Sequence, residues 1–108
     1  MPRAAMPKGA LAMLVLRVLQ RGPMHGYAIA QRIRQISNEV LEPEEGSLYP
    51  ALQRLLLEGW AKAEWGTSET GRRVRFYKLT RDGRKQLERE VSQYEQVTAA
   101  IQTILRTA

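Results

Sequence analysis

The stretch Glu45-Gly46-Ser47-Leu48-Tyr49-Pro50-Ala51-Leu52-Gln53-Arg54-Leu55-Leu56-Leu57-Glu58-Gly59-Trp60 decides how this chain is read. Leu48, Leu52, Leu55 and Leu56 recur at i, i+4, i+7 and i+8, which is one face of a helix. Ser47 is the expected N-cap, because its hydroxyl oxygen can accept from the unpaired amides of the first turn. Pro50 then stands third in the helix, where its missing N–H costs little. Gly59 suits a left-handed C-cap. The opposite face carries Tyr49, Pro50, Gln53 and Arg54, with Leu57 beside them. Alone, such a helix is an ordinary amphipathic segment with a solvated outer side. Its meaning depends on what surrounds it.

At 108 residues the chain makes one domain with a modest core, short enough to gain from a partner that buries more surface. Seventeen Lys and Arg stand against eleven Asp and Glu, a net charge of +6. A small basic domain favours a polyanion: DNA, RNA or an anionic membrane surface. There is no cysteine, which excludes disulfide scaffolds, thiolate metal sites and cysteine nucleophiles and suits a reducing cytosol. The longest apolar stretch, Ala10–Val18, is too short to span a bilayer and contains Arg17. Met1–Ala10 lacks the pattern of a signal peptide, so a cytoplasmic protein without a membrane partner is expected. One His, no Gly-rich phosphate loop and no paired carboxylates on a pocket wall give catalysis no support. The chain is therefore read as no enzyme, with no cofactor and no metal.

Outward from the opening stretch, the order of elements is informative. After a short tail, a helix is expected from Pro7, with Leu11, Leu14, Val15, Val18 and Leu19 as its apolar face and Met13 and Leu16 as further apolar surface. Arg21-Gly22-Pro23 ends it. Met24-His25-Gly26-Tyr27 opens a second helix, closed by Ser37-Asn38. A lone His is a poor metal ligand, and a turn or cap contact is the expected role of His25. Tyr27 is expected half-buried with its hydroxyl able to reach a phosphate. Beyond Trp60, Ala61–Trp65 and Val74–Leu79 alternate like strands around the polar turn Gly66–Gly71, which makes a hairpin. Tyr77 and Leu79 should point inward. Thr80 caps a last helix of about 26 residues, roughly 39 Å long. Leu87, Val91, Tyr94, Val97, Ile101 and Ile104 form a near-heptad seam along it, longer than a three-helix core can cover.

Three helices, a hairpin and a long helix define a mainly α fold with a small β-hairpin: a winged helix-turn-helix over 1–79 and a C-terminal dimerisation helix over 80–108. The opening stretch is then the recognition helix. Arg54 can pair with guanine and Gln53 with adenine, while Tyr49 can reach a phosphate or a thymine methyl. Ser47 and the helix N-terminal amides can hold a phosphate. Arg72 and Arg73 suit a wing laid on the DNA backbone or in the minor groove. Arg75 and Lys78 have three open roles: backbone contacts, protection of a strand edge, or partners of Glu64. The seam implies a homodimer interface, with Leu11, Leu14 and Val15 of the first helix meeting Leu87, Val91, Val97, Ile101 and Ile104. The acidic step Glu44-Glu45 opposes phosphates at the recognition helix and is expected to point away from a duplex. It supports, with Leu57, an alternative: a basic protein-interaction module without a sequence-specific DNA site.

Three motifs make the sequence resemble the PadR-like transcriptional regulators from about Ala10 to Leu105. They are Met24-His25-Gly26-Tyr27-Ala28-Ile29, then Gly46-Ser47-Leu48-Tyr49-Pro50-Ala51-Leu52 with Leu55 and Glu58-Gly59, then Gly71-Arg72-Arg73 through Phe76-Tyr77-Lys78-Leu79-Thr80 with Gly83. The resemblance implies a homodimeric double-stranded-DNA-binding regulator, usually a repressor, joined through its first and last helices. It implies Tyr27, Ser47, Tyr49 and Arg54 as DNA contacts in the helices and Arg72 and Arg73 in the wing. Phe76 stands where a second Tyr is common in the family, so a hydroxyl contact is missing there. The single long last helix is similar to the short subgroup without a further C-terminal domain. Some members bind an aromatic or drug-like effector near the dimer interface. Met13, Leu16 and Tyr94 are the candidates for such a lining here, with plain dimer core as their other role.

Overall fold

The computed structural model describes residues 3–7 and 9–108. In chain order it contains α1 (Ala10–Leu19), β1 (Met24–His25), α2 (Gly26–Ile36), α3 (Glu45–Leu57), β2 (Ala61–Thr67), β3 (Arg73–Leu79) and α4 (Arg81–Thr107). The strands form one antiparallel sheet in the order β1-β3-β2.

Helix α1 is the centre of the core. It begins at Ala10 rather than Pro7, because Gly9 takes a left-handed φ of 82° and the Ala10 N–H closes a turn onto the Pro7 carbonyl. Its apolar residues run almost all round, and burial extends beyond the expected stripe to Met13 and Leu16. Met13, Val15, Leu16, Val18 and Leu19 are buried, while Leu11 and Leu14 lie half-buried at the rim. They meet Ile29 and Ile33 of α2, Leu48, Leu52 and Leu55 of α3, and Ala61, Tyr77 and Leu79 of the sheet. Tyr77 and Leu79 point inward as their alternation requires.

Helix α2 follows β1 directly. Met24 and His25 pair with Tyr77 and Phe76 of β3 as a short strand that the sequence did not announce, and His25 takes the cap role expected of it. The His25 Nδ1 accepts from the Ala28 N–H at 3.3 Å, so His25 caps α2. Arg3 and Ala4 are tied to the loop after α2: the Ala4 N–H donates to the Val40 carbonyl at 2.9 Å, and Arg3 pairs with Glu42, which also meets Arg34.

Helix α3 starts two residues before its expected cap. Glu44 is extended (φ −85°, ψ 150°) and stands at the N-cap without a side-chain bond, and the first i to i−4 bond runs from the Leu48 N–H to the Glu44 carbonyl. Ser47 is therefore the third residue of the helix and caps nothing, and Pro50 is the sixth. There it withholds a donor that a helix interior ordinarily uses, a cost met by burying Leu48, Leu52 and Leu55. At the other end Gly59 has the predicted left-handed φ, 75°. The Gly59 N–H bonds to Leu56 and the Trp60 N–H to Leu55, which completes a Schellman motif.

Helix α4 docks by its first two turns and then leaves the domain. Thr80 caps it, its hydroxyl accepting from the Gly83 N–H at 3.0 Å. Gly83 and Leu87 are buried, and Val91 is half-buried against the core. Leu87 and Val15, both assigned to a dimer interface from the sequence, are thus interior residues of the protomer. Beyond Val91 the seam is open: Tyr94, Val97, Ile101, Ile104 and Leu105 are all exposed. The projecting helix gives a radius of gyration of 15.2 Å, against about 13 Å for a compact domain of this length.

Candidate nucleic-acid interface

The outer face of α3 presents Ser47, Tyr49, Pro50, Gln53, Arg54 and Leu57, all exposed. Leu48, Leu52 and Leu55 anchor the inner face, so the helix cannot rotate to hide these residues without losing its core contacts. Tyr49 is fixed by more than its own backbone. Its ring lies over Gly26, where a Cβ would stand 3.5 Å from it, so the start of α2 supports this side chain. Gln53 follows Tyr49 by one turn on the same face.

Arg54 is exposed but not free-standing. Its guanidinium lies over the Trp60 ring, 5.6 Å from the centroid, at the C-terminal end of α3. Tyr27, expected half-buried, is 69% exposed on the first turn of α2. Its hydroxyl accepts from the Gln31 amide at 3.4 Å and its ring stacks near His25. The structure thus brings Tyr49 beside the start of α2 and sets Gln53 and Arg54 further along α3.

The wing is the hairpin of β2 and β3. Arg72 and Arg73 are exposed near its tip, where the Arg72 N–H bonds to the Ser68 hydroxyl. The register corrects the third role considered for Arg75 and Lys78. Glu64 faces Phe76, Lys62 faces Lys78, and Trp65 faces Arg75. Among the described residues Glu64 forms no ion pair, and the ion pairs found join Glu42 to Arg3 and Arg34. Phe76 turns instead onto Gly66 and His25, meeting the His ring edge-on at 5.7 Å. Trp65, which the sequence reading passed over, lies exposed among the wing arginines; a lone Trp at a polar strand end beside Gly66 was the available signal.

Met13 and Leu16 are not available to a ligand between subunits. Leu16 has no exposed surface and Met13 is 8% exposed, because the phase of α1 turns both into the protomer core. Of the three candidates, Tyr94 alone retains open surface, on the projecting part of α4.

A helix held outward on a three-helix core, next to a basic hairpin, defines a winged helix-turn-helix protein. The sequence profile of the transcriptional regulator PadR-like family matches residues 15–89, and the chain belongs to that family. Family members are transcriptional regulators, not enzymes. The fold is shared with a transcriptional regulator from Clostridium thermocellum, 29% identical, with a TM-score of 0.81 over 89% of this chain and 93% of that one. A PadR family transcription regulator from Clostridium difficile is 25% identical, with a TM-score of 0.77 over 90% and 99% of the two chains. An uncharacterised 37.1 kDa protein of transposon TN4556 from Streptomyces fradiae is 47% identical over 78 residues, which are 72% of this chain. The match spans 21% of that relative's length. Among the described residues no helix is long and apolar enough to cross a membrane.

Proposed function

We propose that this chain is a cytoplasmic homodimeric repressor of a pseudo-palindromic operator. Two copies of α3 enter successive major grooves about 34–36 Å apart. The observation that carries the reading is the pairing of two unsatisfied surfaces: a polar outer face on α3 beside a basic wing, and an open apolar seam on α4. Tyr49, in the first half of α3, meets a base edge, since recognition helices read with their N-terminal residues, and Gln53 does so one turn further along the same face. Arg54, held on Trp60, takes a phosphate or a guanine at the end of the contact. Tyr27, Ser47, Arg72 and Arg73 take phosphates.

In this reading residues 80–108 are the dimerisation element, but its first turns belong structurally to the DNA-binding unit. Leu11, Leu14 and Val91 at the rim and Val97, Ile101 and Ile104 beyond it form the interface. An aromatic or drug-like effector lodged beside Tyr94 relieves repression; the resemblance supports this only in that some family members bind such molecules near the dimer interface.

Selection of sites from random duplex DNA tests the reading. A reproducible dyad motif supports it. A motif without dyad symmetry, or a monomeric mass at micromolar concentration, overturns the dimer. No enrichment at physiological salt favours the interaction module, for which the 86% exposure of Leu57 on the same face of α3 is the supporting observation.

A further inference from the structure

Odd-numbered residues of β2 and β3 share one side of the hairpin. Near the core that side is buried, through Ala61, Tyr77 and Leu79. Further out it continues past the core edge as Trp65, Arg75 and Arg73. There the Trp65 indole is flanked by two guanidiniums, Arg73 at 5.1 Å and Arg75 at 5.9 Å from the ring centroid. Arg75 also lies 5.9 Å from the buried Tyr77 ring. The result is an alternating ladder from the core outward: Tyr77, Arg75, Trp65, Arg73.

Two features of the ladder point to an anion outside the protomer. Like charges gathered on one ring repel, and among the described residues no carboxylate pairs with either arginine. Glu64 is on the opposite side of the hairpin, facing Phe76. Stacking on an aromatic face uses the flat surface of a guanidinium and leaves its five N–H donors at the rim free for phosphate oxygens. An arginine on a bare strand samples many rotamers and loses them on binding; one laid on an indole has lost part of that freedom already.

We propose that Trp65 is the positioning residue of the wing, holding Arg73 and Arg75 pre-oriented so that both guanidiniums meet phosphates of a bound duplex. The inference rests on the DNA-binding reading above. It makes Arg75 a backbone contact rather than an edge charge, and gives the exposed tryptophan a role that acts through its neighbours.

The test measures binding of the full chain to a mixed-sequence duplex at low salt, in a thermodynamic cycle. Trp65→Leu should weaken binding about tenfold, as two arginines regain rotamer freedom. Trp65→Phe should restore most of it, because a ring remains under the guanidiniums. In a background carrying Arg73→Ala and Arg75→Ala, Trp65→Leu should cost nothing further. Full affinity in Trp65→Leu overturns the proposal. So does a loss that persists in the arginine-free background, which places the indole on the DNA itself or in the stability of the hairpin. Failure of the unaltered chain to bind any duplex refutes the underlying reading instead, and is seen before any variant is made.

Discussion

Replacing Gly83 by Ala tests how α4 is joined to the domain. Gly83 is the third residue of α4, and a Cβ there would stand 2.0 Å from the Trp60 carbonyl oxygen and 2.8 Å from Leu79 Cδ1. Real Cβ atoms essentially never approach closer than 3.0 Å, so helix or turn must retreat by about 1 Å, an overpacking typically costing about 1–3 kcal/mol. The same retreat stretches the bonds from the Thr80 N–H to Trp60 (3.1 Å) and from the Thr80 hydroxyl to Gly59 (2.7 Å), each worth about 1 kcal/mol. Against this, Ala is the better helix former by up to ~1 kcal/mol. The balance is a destabilisation of about 2–4 kcal/mol. Urea unfolding at fixed protein concentration measures it as a lowered midpoint with unchanged slope. Gly46→Ala is the internal control: Gly46 also lies in a first helical turn, but a Cβ there meets nothing within 4 Å, so that variant should be neutral or gain up to ~1 kcal/mol. If Gly83→Ala proves as stable as the unaltered chain, the close approach is not a constraint and the account of the joint is wrong.

Three further outcomes follow from the same structure. Gly66→Ala sets a Cβ 2.7 Å from the Phe76 ring; because that half-buried ring can swing aside, the loss should be only about 1 kcal/mol, read as a fall in thermal midpoint. Glu42→Gln removes the pairs to Arg3 and Arg34, all three side chains being partly exposed, so stability should fall by less than ~1 kcal/mol and the difference should shrink in high salt. Ile101→Glu places a charge in the open seam of α4; sedimentation should show association weakened at least about tenfold, the thermal midpoint should fall only as far as lost association requires, and the far-UV circular dichroism of the protomer should be unchanged.

The sequence makes α4, the hairpin and the existence of α3 legible because each rests on local chemistry. Thr80 is a good cap, Gly59 a good terminator, and the alternation around Tyr77 and Leu79 has one inward solution. Position within an element was less legible. Ser47 is a better cap residue than Glu44, yet tertiary burial of Leu48, Leu52 and Leu55 and the extended backbone at Glu44 override local preference. The full extent of the buried side of α1 is not legible because apolar residues surround it, so periodicity cannot say how far round the contact with α2 and α3 reaches. Val15, Met13 and Leu16, given interface or ligand roles from the sequence, are instead buried within the protomer. The two-residue β1 is too short for any alternation to show, and the Trp65 ladder exists only once the register sets residue 65 opposite 75.

The joint at Gly83 bears on how a dimer would place its two recognition helices. One residue, Thr80, separates β3 from α4, and it bonds by backbone and side chain to the turn that ends α3. Trp60 in that turn receives Thr80 on its carbonyl, lies against Gly83 through its backbone, and supports Arg54 on its ring. No slack segment therefore lies between the seam of α4 and the readable face of α3. In a dimer built on that seam, the crossing of the two copies of α4 fixes the separation of the two copies of α3. An effector beside Tyr94 that changed the crossing would move each recognition helix with its own α4, since the joint transmits rotation rather than absorbing it. Repression would then be released by misplacing α3 relative to the spacing of successive grooves, with the fold of each protomer unchanged.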